Sequence, residues 1–312
     1  MPFETLKTAP IRGILPTPPA DACTISRAEP PAALRPYVSW SWTARWQLGD
    51  ATHEQRTLPY PCANLVADDE GIFLYGPTST CFSKHLTGTG HAVGIKFLPG
   101  GVRPLLDGPV ADITDRRLPV ADLLADQHLA ASISCLASAP PGQLLVGLQG
   151  LLADTLSGSR VDGSHDGSGY GSVDAPSEPS TRPKPADVYP SDSPSTDPKI
   201  ELAGRAVAVI STNRQITQVN QVASAVSMSR RSLQRLFTDY IGLGVKATIK
   251  RYRMQEAAEV ALSGTPVDWA TLATDLGYYD QSHFVGVFTA TFGTSPRDLA
   301  SDSYSNGAKM RN

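Results

Sequence analysis

A stretch of the C-terminal third occurs twice, and that repeat is the strongest constraint on the fold. Val222-Ala223-Ser224-Ala225-Val226 matches Leu272-Ala273-Thr274-Asp275-Leu276 at an offset of 50. Leu233-Gln234-Arg235-Leu236-Phe237 matches Phe284-Val285-Gly286-Val287-Phe288 at an offset of 51, and Gly242 matches Gly293 at the same offset. The second copy therefore carries one extra residue between its blocks.

Each copy reads as helix, tight turn, helix. An apolar pair and a small Ala in the first helix let the second cross closely. The turns fall at Ser227-Met228 and at Gly277-Tyr278. Gly277 suits a left-handed position, where Ser227 is less comfortable. Ser229 is a natural N-cap for a helix to about Tyr240, and Asp280 for one to about Phe292. Leu233, Leu236 and Phe237 share a face expected to be buried. The opposite face offers Arg230, Arg231, Gln234, Arg235 and Thr238. Arg bonds guanine bidentately, Gln pairs with adenine, and hydroxyls such as those of Ser229 and Thr238 reach phosphates. A solvated basic face on an ordinary helix would carry the same charge. Its place on the second helix of a tight helix-turn-helix favours the major groove.

Between the copies, Val245 to Leu262 forms one long helical pattern containing Lys246, Lys250, Arg251 and Arg253, and it stops at Ser263-Gly264-Thr265-Pro266. Such a helix is roughly 27 Å long at 1.5 Å per residue. Two recognition helices held at that separation could enter successive major grooves, about 34 Å apart.

The net charge of −3 over 312 residues argues at first against a nucleic-acid binder. It is a sum over unlike segments. Residues 1–150 hold 11 Lys+Arg against 13 Asp+Glu, a net of −2. Residues 151–198 hold 3 against 8, a net of −5, whereas residues 199–300 hold 11 against 8, a net of +3, and the last twelve residues add +1. The acidic excess lies outside the repeat.

Of the 42 residues from Ser157 to Pro198, 28 are Ser, Pro, Gly or Asp. Such a segment cannot bury enough surface to offset chain entropy. The expected organisation is a β-rich regulatory domain over 1–156, a disordered linker over 157–198, a double helix-turn-helix domain over 199–300 and a disordered tail over 301–312. With no apolar run near 18 residues and no basic start followed by an apolar run, neither a membrane span nor a signal peptide is expected.

The N-terminal half reads as mainly β. Large apolar residues alternate in Val38-Ser39-Trp40-Ser41-Trp42-Thr43 and again at Val93, Ile95 and Phe97. Cys62 to Ala67 and Ile72 to Tyr75 flank a four-residue loop, Asp68-Asp69-Glu70-Gly71. After Arg117 the pattern turns helical. Leu144, Leu145, Leu148, Leu151, Leu152 and Leu156 line one helix face behind Pro140-Pro141. That stripe packs against its own domain or forms a homodimer contact.

Cys23, Cys62, Cys81 and Cys135 form no CxxC pair. His53, His85 and His91 complete the reactive candidates of this half, without a His-x-His pair, a nucleophile elbow, a P-loop or a dinucleotide fingerprint. No catalysis, metal or cofactor is expected. Thiol or metal sensing is the alternative use of these side chains. Trp40, Trp42 and Trp46 could line a pocket for a small effector. The competing reading makes them core, since Trp40 and Trp42 share the strand face of Val38, and Trp46 is the more exposed member.

Residues 199–299 resemble the DNA-binding domain of AraC-family (AraC/XylS-type) transcription regulators. The carrying residues are Leu272-Ala273, Leu276-Gly277-Tyr278, Asp280-Gln281-Ser282-His283-Phe284, Phe288 and Phe292-Gly293-Thr294-Ser295-Pro296. The N-terminal half is similar, more loosely, to a cupin-like regulatory domain, through Pro31, Leu34, Pro36-Tyr37-Val38, Trp42, Leu58-Pro59, Gly76, Gly94, Phe97 and Pro99-Gly100. The resemblance implies sequence-specific binding of double-stranded promoter DNA, with RNA polymerase as partner for an activator, but does not supply a ligand for the N-terminal domain, which either binds a small effector or only dimerises. A cytoplasmic, nucleoid-associated location is expected. Three departures stand out. Gly286 replaces the Arg usual in the second recognition helix, and Thr289-Ala290-Thr291 replaces basic residues. Gly242-Leu243-Gly244-Val245 replaces the usual Gly-x-Ser-Pro. The second unit keeps Gln281, Ser282, His283 and Thr289 as polar contacts, so DNA binding is expected to be asymmetric, with Ser229, Arg230, Arg231, Gln234, Arg235, Thr238 and Lys250 dominant.

Overall fold

The computed structural model describes residues 14–15, 22–57, 60–123, 140–157, 197–263 and 265–301. The expected linker and tail lie outside the described residues except at their edges. Helical structure resumes at Pro198, where Asp197 is the N-cap and accepts from the Lys199 amide.

Among the described residues, seven antiparallel strands build the N-terminal half: β1 (Ile14–Leu15), β2 (Cys23–Ala28), β3 (Val38–Thr57), β4 (Asn64–Asp68), β5 (Gly71–Tyr75), β6 (Phe82–Phe97) and β7 (Arg117–Pro119). Their order is β1-β3-β6-β4-β5-β7, with β2 also paired to β3. The two long strands run together from Val38 opposite Phe97 to Thr57 opposite Phe82. Their register breaks between Gln47 and Thr52, where Gly49 and Gly88 hold positive φ values of 59° and 56°. Only glycine adopts that backbone without strain, so the ribbon bends there.

Two local expectations are corrected. Asp68 pairs directly with Gly71, so the hairpin closes on a two-residue turn, Asp69-Glu70, instead of four. Arg117–Pro119 is a strand against β5, and helix begins only at α1 (Val120–Leu123). Pairing with Phe73, Leu74 and Tyr75 outweighs the helical pattern that follows.

Helix α2 (Pro141–Leu156) opens with Pro141 in its first turn. It buries Leu144, Leu145, Leu148 and Leu152 against β6 and the turns at Ala32–Leu34 and Arg103–Leu105. Gln149 donates to the Ser41 hydroxyl at 2.8 Å, crossing from the helix to the sheet. The leucine stripe is therefore packed within its own domain.

The C-terminal half is helical: α3 (Pro198–Thr212), α4 (Val219–Ala225), α5 (Arg230–Leu236, continued by a π turn over Phe237–Ile241), α6 (Val245–Leu262), α7 (Trp269–Asp275) and α8 (Gln281–Phe292). A last helical turn covers 296–301. One continuous core runs from the sheet through α2 and the first helix-turn-helix to Tyr252, midway along α6. A second core begins at Met254 and holds Trp269, Ala273, Phe284, Phe288 and Phe292. Packing thus divides inside the linking helix. No helix among the described residues is long and apolar enough to cross a membrane.

Candidate nucleic-acid interface

The first unit comprises α4 and α5. Gln218 and Gln221 form a reciprocal capping box at the start of α4. The turn places Ser227 at φ 54°, the left-handed conformation that its counterpart Gly277 takes at φ 81°. Ser229 then caps α5, its hydroxyl accepting from the Ser232 amide at 3.0 Å. Leu233, Leu236 and Phe237 are buried, as expected. Ser229, Arg230, Arg231, Gln234, Arg235 and Thr238 are all exposed on the other side. Thr238 also donates to the Gln234 carbonyl at 3.1 Å. Such a face can present guanidinium forks, an amide and hydroxyls to a groove.

The second unit, α7 and α8, repeats the design with less charge. Asp268 caps α7, and Asp280 caps α8 by accepting from the His283 amide at 2.7 Å. Phe284, Phe288 and Phe292 stack down the buried face, with Trp269 lying over Phe284 at 6.3 Å between ring centroids. Gln281, Ser282, His283 and Thr289 are exposed, and the space around Gly286 is open. The groove-facing candidates of α8 therefore include no Lys or Arg.

The linking helix divides its basic residues between solvent and interior. Lys246 and Lys250 are exposed, but Arg251 and Arg253 are buried. Arg253, 2% exposed, donates to the carbonyls of Ile210 and Asn213 and pairs with Glu256 at 2.7 Å, tying α6 to α3. Arg251 points toward the β-domain near Asp115, Cys62 and Cys81, and burial lowers its pKa. Tyr252 meets the ring of Tyr60 at 6.4 Å. Of the basic residues in α6, only the two lysines remain available to phosphate.

The β-domain touches both units. Its turn at Val110–Ile113 packs on the π turn that ends α5, and Thr114 donates to the Gly242 carbonyl at 2.8 Å. At the end of β3, Arg56 donates to the Phe292 carbonyl, the last of α8, at 3.2 Å. No local sequence signal announces either contact, because each joins residues more than a hundred positions apart.

The tryptophans are placed differently from expectation. Val38 lies opposite Phe97 but Trp40 lies opposite Lys96, so Ser39 is an extra residue and the alternation inverts there. Ser41 and Thr43 consequently join Val38 facing the core, while Trp40 and Trp42 are half-buried on the outer face. Trp46, the expected exposed member, is buried. It lies across Gly90 and donates its indole N–H to the Thr87 carbonyl at 3.1 Å. Lys96, which sequence reading missed, is held with its ammonium 3.2 Å from the Tyr60 ring centre and 4.1 Å from that of Trp40. Arg27 covers Trp40 as well, at 4.4 Å. Desolvation pulls the pKa of Lys96 down to about 7.

The remaining reactive candidates are not gathered. Burial raises the pKa of Cys62, Cys23 and Cys81, and Cys81 donates to the Thr57 carbonyl at 3.2 Å. Protonated thiols are poor nucleophiles and poor ligands. Among the described residues, Asp68, Asp69 and Glu70 bring three carboxylates together, but Lys84 pairs with Asp68 and Glu70, and Arg117 with Glu70.

Residues 222–301 match a family described as a helix-turn-helix domain, and residues 26–119 match a domain of unknown function. The chain is 34% identical over 82 residues to the regulatory protein PocR of Salmonella typhimurium, which is 26% of either chain. The C-terminal region matches a helix-turn-helix domain. The chain spans about a quarter of the length of PocR. The xylose-binding transcription activator xylR is similar at 21% identity and a TM-score of 0.30, over 50% of this chain and 38% of that one. ToxT from Vibrio cholerae is similar at 11% identity and a TM-score of 0.33, over 92% of this chain and 98% of that one.

Proposed function

We propose that the protein is a sequence-specific DNA-binding transcription regulator in which the first helix-turn-helix unit supplies most of the base recognition. The observation that carries this reading is the two-sided build of α5: Leu233, Leu236 and Phe237 are buried while Arg230, Arg231, Gln234 and Arg235 stand in solvent. Lys250 adds a phosphate contact from the linking helix. Gln281, Ser282, His283 and Thr289 contribute less, because they release no counterions. Genome-wide mapping of bound sites tests the assignment and names the regulated genes. Retention of site-specific gel shifts by both Arg231→Ala and Arg235→Ala would rule it out.

The β-domain is the regulatory half, and a small effector on its outer face, against Trp40 and Trp42, is its input. Support comes from two half-buried indoles on that face, with Lys96 and Arg27 lying over the ring of Trp40. A ligand-dependent rise in melting temperature of the full chain, lost in Trp42→Ala, is the expected result. DNA affinity indifferent to every added metabolite would favour a domain that only dimerises. RNA polymerase is the further partner if the protein activates.

A further inference from the structure

The turns of the two helix-turn-helix units agree up to one point. The Met228 amide bonds the Ala223 carbonyl at 2.9 Å, and the Tyr278 amide bonds that of Ala273 at 2.9 Å, fifty residues on. The N-caps Ser229 and Asp280 stand 51 apart. The residue without a counterpart is Tyr279. It is 92% exposed, and only Val146, at 59%, accompanies it as an exposed large apolar side chain among the described residues. The inserted residue thus projects a full aromatic side chain into solvent immediately before α8, beside exposed Gln281, Ser282 and His283. That helix has Gly286 where α5 has Arg235. A phenol is a neutral donor able to bond a phosphate.

We propose that Tyr279 is a DNA contact of the second unit, its hydroxyl donating to a phosphate oxygen at the edge of the groove that α8 faces. It replaces the cationic anchor that α8 lacks. The assignment rests on reading the chain as a DNA-binding regulator. A neutral donor releases no counterion, so it adds affinity without adding salt dependence.

The test uses the full chain and the duplex it enriches most strongly from a random-sequence library. Wild type, Tyr279→Ala, Tyr279→Phe and Arg235→Ala are titrated by fluorescence anisotropy between about 50 and 200 mM KCl, the range over which phosphate contacts separate by slope. Both Tyr279 variants should lose about tenfold in affinity, the order expected for a hydrogen bond to a charged group, with the salt slope unchanged. Arg235→Ala should lower the slope by about 0.9. Melting temperatures should match wild type for the Tyr279 variants, because the side chain packs on little. Wild-type affinity in Tyr279→Phe overturns the proposal. So does unchanged DNA binding with lost in-vitro transcription, which would assign the ring to a protein partner. Failure of the wild-type chain to enrich any sequence overturns the regulator reading, and Tyr279 as a DNA contact with it.

Discussion

Thr114 of the β-domain donates its hydroxyl to the carbonyl of Gly242, the residue that ends the first recognition helix, at 2.8 Å. Arg56 does the corresponding thing 50 residues further along, at the Phe292 carbonyl, the last of α8. Both carbonyls belong to helix ends, which have no partner within their own helix. The β-domain therefore holds α5 and α8 each at its C-terminal end, opposite the N-caps Ser229 and Asp280.

Removing the Thr114 hydroxyl leaves the Gly242 carbonyl without this partner at a partly buried contact. Thr114→Val should destabilise the chain by about 1–2 kcal/mol. Chemical denaturation measures it, with an unchanged slope against denaturant. Arg56→Ala should cost less, about 0–1 kcal/mol, because that side chain is more exposed.

Gly242 and Gly286 should respond oppositely to alanine. Gly242 holds φ 79°, and an added Cβ would stand 2.7 Å from Thr114 Oγ1 and 3.0 Å from the Val110 carbonyl. Gly242→Ala should lose more than about 1 kcal/mol through strain and collision. Gly286 lies inside α8 with open space around it. Gly286→Ala should gain about 0.5–1 kcal/mol. Thermal unfolding of the two variants compares them directly.

Arg253→Met tests the buried bridge between α3 and α6. It removes bonds to Ile210, Asn213 and Glu256 from a site with almost no water. A loss of about 3 kcal/mol is expected, since the carbonyls of Ile210 and Asn213 lose a buried donor, while Glu256 keeps its pair with Arg214. Wild-type stability in this variant would show that the linking helix is held by apolar packing alone.

Lys96 predicts a pH dependence. Its pKa falls to about 7 in the folded chain, mainly through burial, with Arg27 lowering it and Cys62 opposing. Unfolded, it titrates near 10.4. Between these values the unfolded state binds the extra proton, so stability rises as pH increases across that window. Below about 7 both states are protonated and this contribution is absent. The melting temperature of wild type should gain on that of Lys96→Met between pH 7 and pH 9. A constant difference would contradict the assignment.

Local chemistry made the helical half readable. Ser229 and Asp280 cap where a hydroxyl and a carboxylate should, Gly277 turns left-handed where it has no Cβ to clash, and Leu233, Leu236 and Phe237 are buried at helical spacing. These outcomes depend on neighbours within a few residues, so the sequence alone determined them. The exposed face of α5 followed from the same period.

What only the tertiary structure decided are the choices made by distant partners. A single extra residue at Ser39 turned Trp40 and Trp42 to the outer face, because side-chain alternation in a strand has a period of two and one insertion inverts it. Arg251 and Arg253 are buried although they share a helix with exposed Lys246 and Lys250, because Arg253 bonds the end of α3 and Arg251 lies near Asp115, Cys62 and Cys81 of the β-domain. The acidic, Ser- and Pro-rich stretch marked a boundary in composition, yet the core passes from the sheet into the first helix-turn-helix and divides only between Tyr252 and Met254. Apolar burial depends on area removed from water and not on order along the chain, so where the two cores part was settled by packing and could not be read from the order of residues.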